Sequence, residues 1–262
     1  MLYYKNGNIK YEGKLVNDKY EGYGKYFFLN GDYYIGEFKN GLRNGKGILY
    51  CKNGKIKYEG EWINDKYEGY GKYIFENGNY YIGEFKNCLR NGKGIFYYKN
   101  GKILYEGDWI NHEFEGFGKC INEDGNIYLG EFKNGLPNGN GILYYKNGNI
   151  KGEGEWINSK MEGYGKRIYE DGKYYIGKFK HGLRNGKGIL YYKNGKIQYE
   201  GDWIDDTAEG FGKYINENGD YYLGEWKNGS KNGKGKICLS IGIVIFNGNF
   251  INNKAELTCI LS

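Results

Sequence analysis

Proline is nearly missing from this chain: Pro137 stands alone among 262 residues. That scarcity excludes collagen-like and proline-rich architectures. Histidine is almost as rare, with His112 and His181, and neither sits in a pattern that pairs a base with a nucleophile. The five cysteines, Cys51, Cys88, Cys120, Cys238 and Cys259, are odd in number and lack Cys-x-x-Cys spacing. They read as free thiols of a reducing compartment, not as a disulfide or zinc framework. No apolar run approaches the roughly 18 residues of a membrane-spanning helix. The opening MLYYKNGNIK has no apolar core of the kind a secretory signal needs, so the expected location is cytoplasmic.

Glycine and aromatic rings are abundant instead, with 47 Gly, 31 Tyr, 13 Phe and 5 Trp. Aligned on Tyr-x-Gly triplets, the chain has register starts at Tyr11, Tyr34, Tyr58, Tyr81, Tyr105, Tyr128, Gly152, Tyr175, Tyr199, Tyr222 and Phe246, in alternating steps of 23 and 24 residues. A constant period of this size marks a repeat array. The two alternating members are termed A (starting at Tyr58, for example) and B (starting at Tyr81). Glycines recur at +2 from every start and at +11, +13 and +20 from the first ten, so the glycine content is positional.

An Asn-Gly or Asp-Gly pair such as Asn30-Gly31 or Asn77-Gly78 precedes each of the first ten starts, and such pairs accept the positive φ of tight hairpin turns. Between them Tyr, Gly and Trp or Phe at +0, +2 and +4 alternate with charged residues, the period of a half-exposed strand. Each repeat is therefore expected to be a β-hairpin. The predicted fold is all-β: an elongated single-layer antiparallel sheet of tandem hairpins, on the order of 100 Å long at ~4.8 Å per strand. Glycines at +2, +11 and +13 are expected on the ring-bearing face, leaving gaps that rings cover.

All five Trp occupy +4: Trp62, Trp109, Trp156, Trp203 and Trp226. Phe38, Phe85, Phe132 and Phe179 fill the same slot elsewhere. Because a single layer cannot cover both of its faces, these nine rings form the candidate interaction face.

YEGEWINDKYEGYGKYIFENG and YIGEFKNGLRNGKGILYCKNG resemble MORN repeats, whose pattern is Tyr-x-Gly-x-Trp/Phe, a loop, Gly-x-Gly and a closing Gly. The resemblance runs over residues 11–250. It implies a rod of hairpins and a scaffold for membrane-associated or cytoskeletal assemblies, at the cytoplasmic face of a membrane or on the cytoskeleton. The expected organisation is a half repeat capping the N-terminus (1–10), ten repeats (11–245), and a degenerate repeat with a C-terminal cap (246–262).

Charge alternates with the repeat, A repeats summing to −16 and B repeats to +20. Side by side, such hairpins would satisfy cross-strand pairs and disfavour misregister. The B loops also offer a candidate contact with an acidic phospholipid surface: Lys39, Arg43 and Lys46; Lys86, Arg90 and Lys93; Lys180, Arg184 and Lys187; Lys231 and Lys234. Spaced roughly 19 Å apart, they would face anionic headgroups. They form no continuous stripe for a nucleic-acid backbone, so nucleic acid is not expected.

Carboxylates such as Glu61, Asp108, Glu155 and Asp202 recur at one register, whereas catalysis needs one singular environment. No catalytic residue, metal site or cofactor is expected. The function anticipated is a non-enzymatic scaffold for protein assembly. The alternatives are a regulatory module of a phosphoinositide kinase or other enzyme, and a direct phosphoinositide binder. Ile243, Ile245, Phe246 and Phe250, in the least charged stretch, are candidates for homodimer contact through an unpaired strand edge.

Overall fold

The computed structural model describes residues 1–256. Twenty-three strands and no helix are found there, all in one antiparallel sheet. An A repeat folds as Ile56–Ile63 and Lys66–Ile74; the B repeat after it folds as Tyr80–Lys86 and Leu89–Tyr97. Each of these strands pairs with the next one along the chain. The chain divides into two compact units, Met1–Glu123 with Glu131–Leu136 forming one and the remainder the other. The same hairpin pattern recurs within each unit.

The turn chemistry is divided differently from the sequence expectation. Two-residue turns with positive φ at both positions lie in the middle of each repeat: Asn17-Asp18 (47° and 57°), Asn40-Gly41 (53° and 88°) and Asn64-Asp65 (49° and 66°). Their sign matches the right-handed twist of the flanking strands. Among the Asn-Gly pairs before each start, only the glycine is positive, as at Gly31 (91°). There the Gly31 amide donates to the Phe28 carbonyl and the Phe28 amide to the Asp32 carbonyl. This is the three-residue hairpin whose last member must be left-handed. Successive mid-repeat turns are also tied by backbone bonds, Gly41 N–H to the Tyr20 carbonyl and Asp65 N–H to that of Arg43.

The glycines at +2 and +13 face each other across strands, as Gly60 with Gly71 and Gly83 with Gly94. The +0 tyrosine lies over both members of the pair. The +11 glycines do something else. Gly69 (φ 60°) and Gly92 (93°) sit at positive φ beside the Glu61 and Glu84 carboxylates, where the strand bulges. They are required by the backbone and not by a ring.

A β-carbon added at Gly83 would stand 2.5 Å from the carbonyl oxygen of Lys93, on the neighbouring strand. Gly83→Ala is therefore expected to cost about 3 kcal/mol, since backbone must move. Gly101→Ala meets open space and pays only for φ = 82°, about 1–2 kcal/mol. Equal losses in urea titrations of the two variants would contradict this packing.

Candidate functional site

The two faces of the sheet differ in what they leave exposed. On one, each +0 tyrosine is fully or almost fully buried, and hydroxyls of this set donate to the backbone carbonyl at +3: Tyr58 to Glu61 (3.0 Å), Tyr81 to Glu84 (3.0 Å), Tyr222 to Glu225 (2.9 Å). The +4 rings meet these tyrosines edge-on; Trp109 lies 5.1 Å from Tyr81 and 5.3 Å from Tyr105. The indoles bond to the carbonyl of a +13 glycine, Trp62 to Gly47 and Trp109 to Gly94. A donor buried without a partner would be costly, so this contact fixes ring orientation.

The expectation that the +4 rings form the interaction face is corrected here. Phe38, Trp62, Phe85, Trp109, Phe132, Trp156, Phe179, Trp203 and Trp226 are only 1–8% exposed. They are the core, covered from above by residues the sequence reading did not assign to the task. In A repeats the +9 ring stacks on the +0 tyrosine, as Tyr67 does on Tyr58 at 3.9 Å and Phe114 on Tyr105 at 3.8 Å. In three of the five B repeats an arginine does the covering.

Arg43, Arg90 and Arg184 place their guanidinium groups over Trp62 (4.3 Å), Trp109 (4.5 Å) and Trp203 (4.0 Å). Cation–π contact and the fork of donors make arginine suited to this. Arg43 Nε bonds to Asp65 Oδ1 at 2.8 Å and Arg184 Nε to Asp206 Oδ1 at 2.9 Å. Arg90 finds His112 Nδ1 at 3.3 Å instead. Burial, then the neighbouring guanidinium, lowers the pKa of His112, which keeps Nδ1 an acceptor. These arginines are ring covers, not free cations at the sheet edge.

The lipid grouping is accordingly split. Lys46 pairs with Glu61 on the opposite face; Lys93 and Lys187 reach Asp108 (2.8 Å) and Asp202 (3.1 Å) there. Lys39 and Lys86 stand beside the turns, paired with Leu42 and Leu89. Lys180 holds the matching position in a later B repeat, paired with Leu183, whereas Lys234 holds the Lys46 position, paired with Asn249. Lys231 takes the arginine position but lies 5.0 Å from the Tyr222 ring, its pKa lowered by burial. Alternation along the strand leaves the arginine of each basic set on the ring face and the +12 lysine on the other, so the set is divided between the two sides of the sheet. Where Lys93 and Lys187 meet acids, B cations pair with the following A repeat, as the charge alternation led one to expect.

At the C-terminal end Phe250 is 2% exposed, held against Tyr222 and Phe246 at 5.0 Å. It belongs to the core and is withdrawn as a dimer contact. Phe246 is half-buried, while Ile243 and Ile245 are exposed. Cys51, Cys88, Cys120 and Cys238 are unpaired; Cys259 lies outside the described residues.

The other face is where large apolar side chains stand free. Tyr23, Tyr70 and Phe117 in the first unit, and Tyr164 and Phe211 in the second, are 57–71% exposed. All five occupy +12 of A repeats, between the bulge glycine and the +13 glycine. Val16, Ile63 and Ile110 add exposed aliphatic surface next to the mid-repeat turns. Between Tyr23 and Tyr70 lies a groove of about 570 Å³. Gly47, Gly60 and Gly71 floor it, Ile35, Ile48 and Ile82 line it, and Lys46, Glu59, Glu61 and Lys72 border it. The spacing of 47 residues and the Gly-aromatic-Gly triplet were visible signals for this row. The same parity that puts +13 under a ring puts +12 on the far side.

The repeat model for the MORN repeat matches residues 11–33, 34–56, 58–80, 81–103, 105–127, 128–150, 153–174, 175–197, 199–221 and 222–242. The chain belongs to the MORN repeat family. Its seventh repeat starts late in that match because Gly152 replaces the +0 tyrosine; the Met161 thioether fills the space, Sδ lying 3.2 Å from a β-carbon placed on Gly152. As MORN repeats, the ten copies form a repeat scaffold module. No curated protein matches the chain.

Among solved structures it is similar to the TCP10 domain of Danio rerio CPAP in complex with a peptide of STIL, at 12% identity and a TM-score of 0.30 over 86% of this chain and 98% of that one. It is also similar to the SAS-4 (dCPAP) TCP domain of Drosophila melanogaster in complex with a proline-rich motif of Ana2, at 13% identity and a TM-score of 0.19, covering 85% and 86% of the two chains.

Proposed function

We propose that this MORN array is a non-enzymatic, cytoplasmic scaffold that holds a protein partner on the face opposite its ring core. The observation that carries the reading is the row Tyr23, Tyr70 and Phe117 with the glycine-floored groove beside it. Exposed apolar surface of this kind marks interaction sites, and aromatic side chains are the usual anchors of protein interfaces. The groove border carries both signs of charge, which suits a polypeptide of mixed charge better than a uniformly anionic membrane. Glycines at the floor let a partner approach the backbone closely.

The test starts with proximity labelling to find a partner, followed by titration of the two purified proteins. Tyr23→Ser, Tyr70→Ser and Phe117→Ser combined should weaken the binary complex at least about a hundredfold, two anchors' worth. Lys39→Glu with Lys86→Glu should change it less than about threefold. The opposite ranking would overturn the reading. So would binding to phosphatidylserine vesicles that the lysine pair abolishes and the ring triple leaves intact.

A further inference from the structure

The three arginines that cover tryptophans differ in what neutralises them. Arg43 and Arg184 each have a carboxylate, Asp65 Oδ1 at 2.8 Å and Asp206 Oδ1 at 2.9 Å. At Arg90 the partner is the His112 imidazole, whose Nδ1 accepts from the Arg90 backbone N–H at 3.1 Å and from Nε at 3.3 Å. The hydrogen bonds are kept and the counter-charge is gone. With Nδ1 accepting, His112 Nε2 carries the ring proton and is a donor.

Arg90 lines a hollow of about 410 Å³ on the ring face, together with Lys57, Cys88 and His112. A matching hollow lies beside Ala208, so the shape belongs to the repeat and the chemistry of the lining is what varies. Cys88 and His112 are exposed, while Arg90 and Lys57 are half-buried. Among the described residues no ion pair engages Lys57 or Arg90. The neighbouring acids are directed elsewhere: Glu68 Oε2 accepts from the Asn87 backbone N–H at 2.7 Å, and Glu113 Oε2 lies against Gly135.

Two cations and an imidazole N–H without a carboxylate among them call for an anion, and a dianion answers two positive charges better than a monoanion. The planar fork of arginine fits phosphate oxygens in pairs. A flat acidic membrane is the poorer occupant, because the cations are recessed and the Glu68 and Glu113 carboxylates flank them.

We propose that this hollow binds one phosphorylated side chain of a protein partner, the phosphate oxygens accepting from the Arg90 guanidinium, the Lys57 ammonium and His112 Nε2–H. The site lies on the ring side of the sheet and does not depend on the opposite-face row.

The full chain is titrated with a blocked tripeptide carrying phosphoserine at its centre, with the serine and glutamate versions of that peptide, and with inorganic phosphate. Binding is read by calorimetry and by tryptophan fluorescence, since Trp109 lies under Arg90. One phosphopeptide per chain is expected, at least about tenfold tighter than the glutamate peptide. The serine peptide should not bind. His112→Asp, which restores the carboxylate found at Asp65 and Asp206, should weaken binding at least about tenfold without lowering the melting temperature. Lys57→Gln, in imitation of Gln198, should also weaken it about tenfold, whereas Cys88→Gly, the residue of the other four B turns, should leave it within about twofold. The triple substitution of Tyr23, Tyr70 and Phe117 by serine should leave it unchanged. No saturable binding of the phosphopeptide, unchanged affinity in both His112→Asp and Lys57→Gln, or inorganic phosphate or the glutamate peptide binding as tightly as the phosphopeptide would each overturn the proposal. So would capture by phosphatidylinositol-phosphate vesicles with the phosphopeptide left unbound.

Discussion

Raising the pH above 10 is expected to unfold the array steeply, and tyrosine is the reason. The +0 hydroxyls of Tyr34, Tyr58, Tyr81, Tyr105, Tyr175 and Tyr199 are held well above their ordinary range by burial, and that of Tyr222 is pushed up to about 12. Burial also raises Tyr11. In the unfolded chain these phenols ionise near pH 10. Native tyrosine therefore keeps protons that unfolded tyrosine releases, and stability falls as the pH climbs through the unfolded value toward the folded one. Each group contributes a slope of up to about 1.4 kcal/mol per pH unit. A few of them acting together exceed the roughly 5–15 kcal/mol stability of a typical domain within one or two units. Ionisation also removes the donor of the bond to the +3 carbonyl. Tyrosinate absorbance from the buried +0 residues should rise in a cooperative step coincident with loss of β circular dichroism. A single smooth titration near pH 10 with the sheet intact would contradict the burial described.

Trp109→Ala should be the most damaging single truncation. The indole is 1% exposed, contacts Tyr81, Tyr105 and Phe114, lies under Arg90, and donates to the Gly94 carbonyl at 3.0 Å. Losing it is expected to cost about 3–5 kcal/mol through lost burial and the cavity left behind. It would also leave the Arg90 guanidinium without its platform. Because each hairpin contacts chiefly its neighbours, the loss should be felt locally and broaden the unfolding transition. Ile110→Ala, one residue on and half exposed, should change stability by less than about 0.5 kcal/mol. A loss below about 1 kcal/mol for Trp109→Ala would show that the +4 ring is not core.

The hairpin repeat was legible because its determinants are local and recur: Tyr-x-Gly-x-Trp parity, glycine at fixed offsets and turn residues at fixed spacing. The assignment of faces was not. A single sheet has two sides, and alternation alone says only that +4 and +12 lie on different ones. The rings at +4 look uncovered until Tyr67 is seen to stack on Tyr58 and Arg43 to lie on Trp62. Those contacts join residues on different strands, which a one-dimensional pattern does not rank. The Arg43–Asp65 pair had a readable trace nonetheless. Arg43 and Arg184 have Asp65 and Asp206 at the partner position, and where the arginine is replaced the acid is gone as well, as at Pro137 with Ser159 and Lys231 with Asn253. The +11 glycines were misplaced because a bulge inserts an extra residue and shifts the parity on which the reading relied.

The central claim is that one face of the sheet supplies the core and the other is left free to bind. Brief iodination of the native protein, followed by mass spectrometry of each tyrosine, tests it most directly. Tyr23, Tyr70 and Tyr164 should be modified readily, whereas Tyr34, Tyr58, Tyr81, Tyr105 and Tyr175 should stay unmodified until denaturant is added. Comparable labelling of the two sets in the folded protein would contradict it.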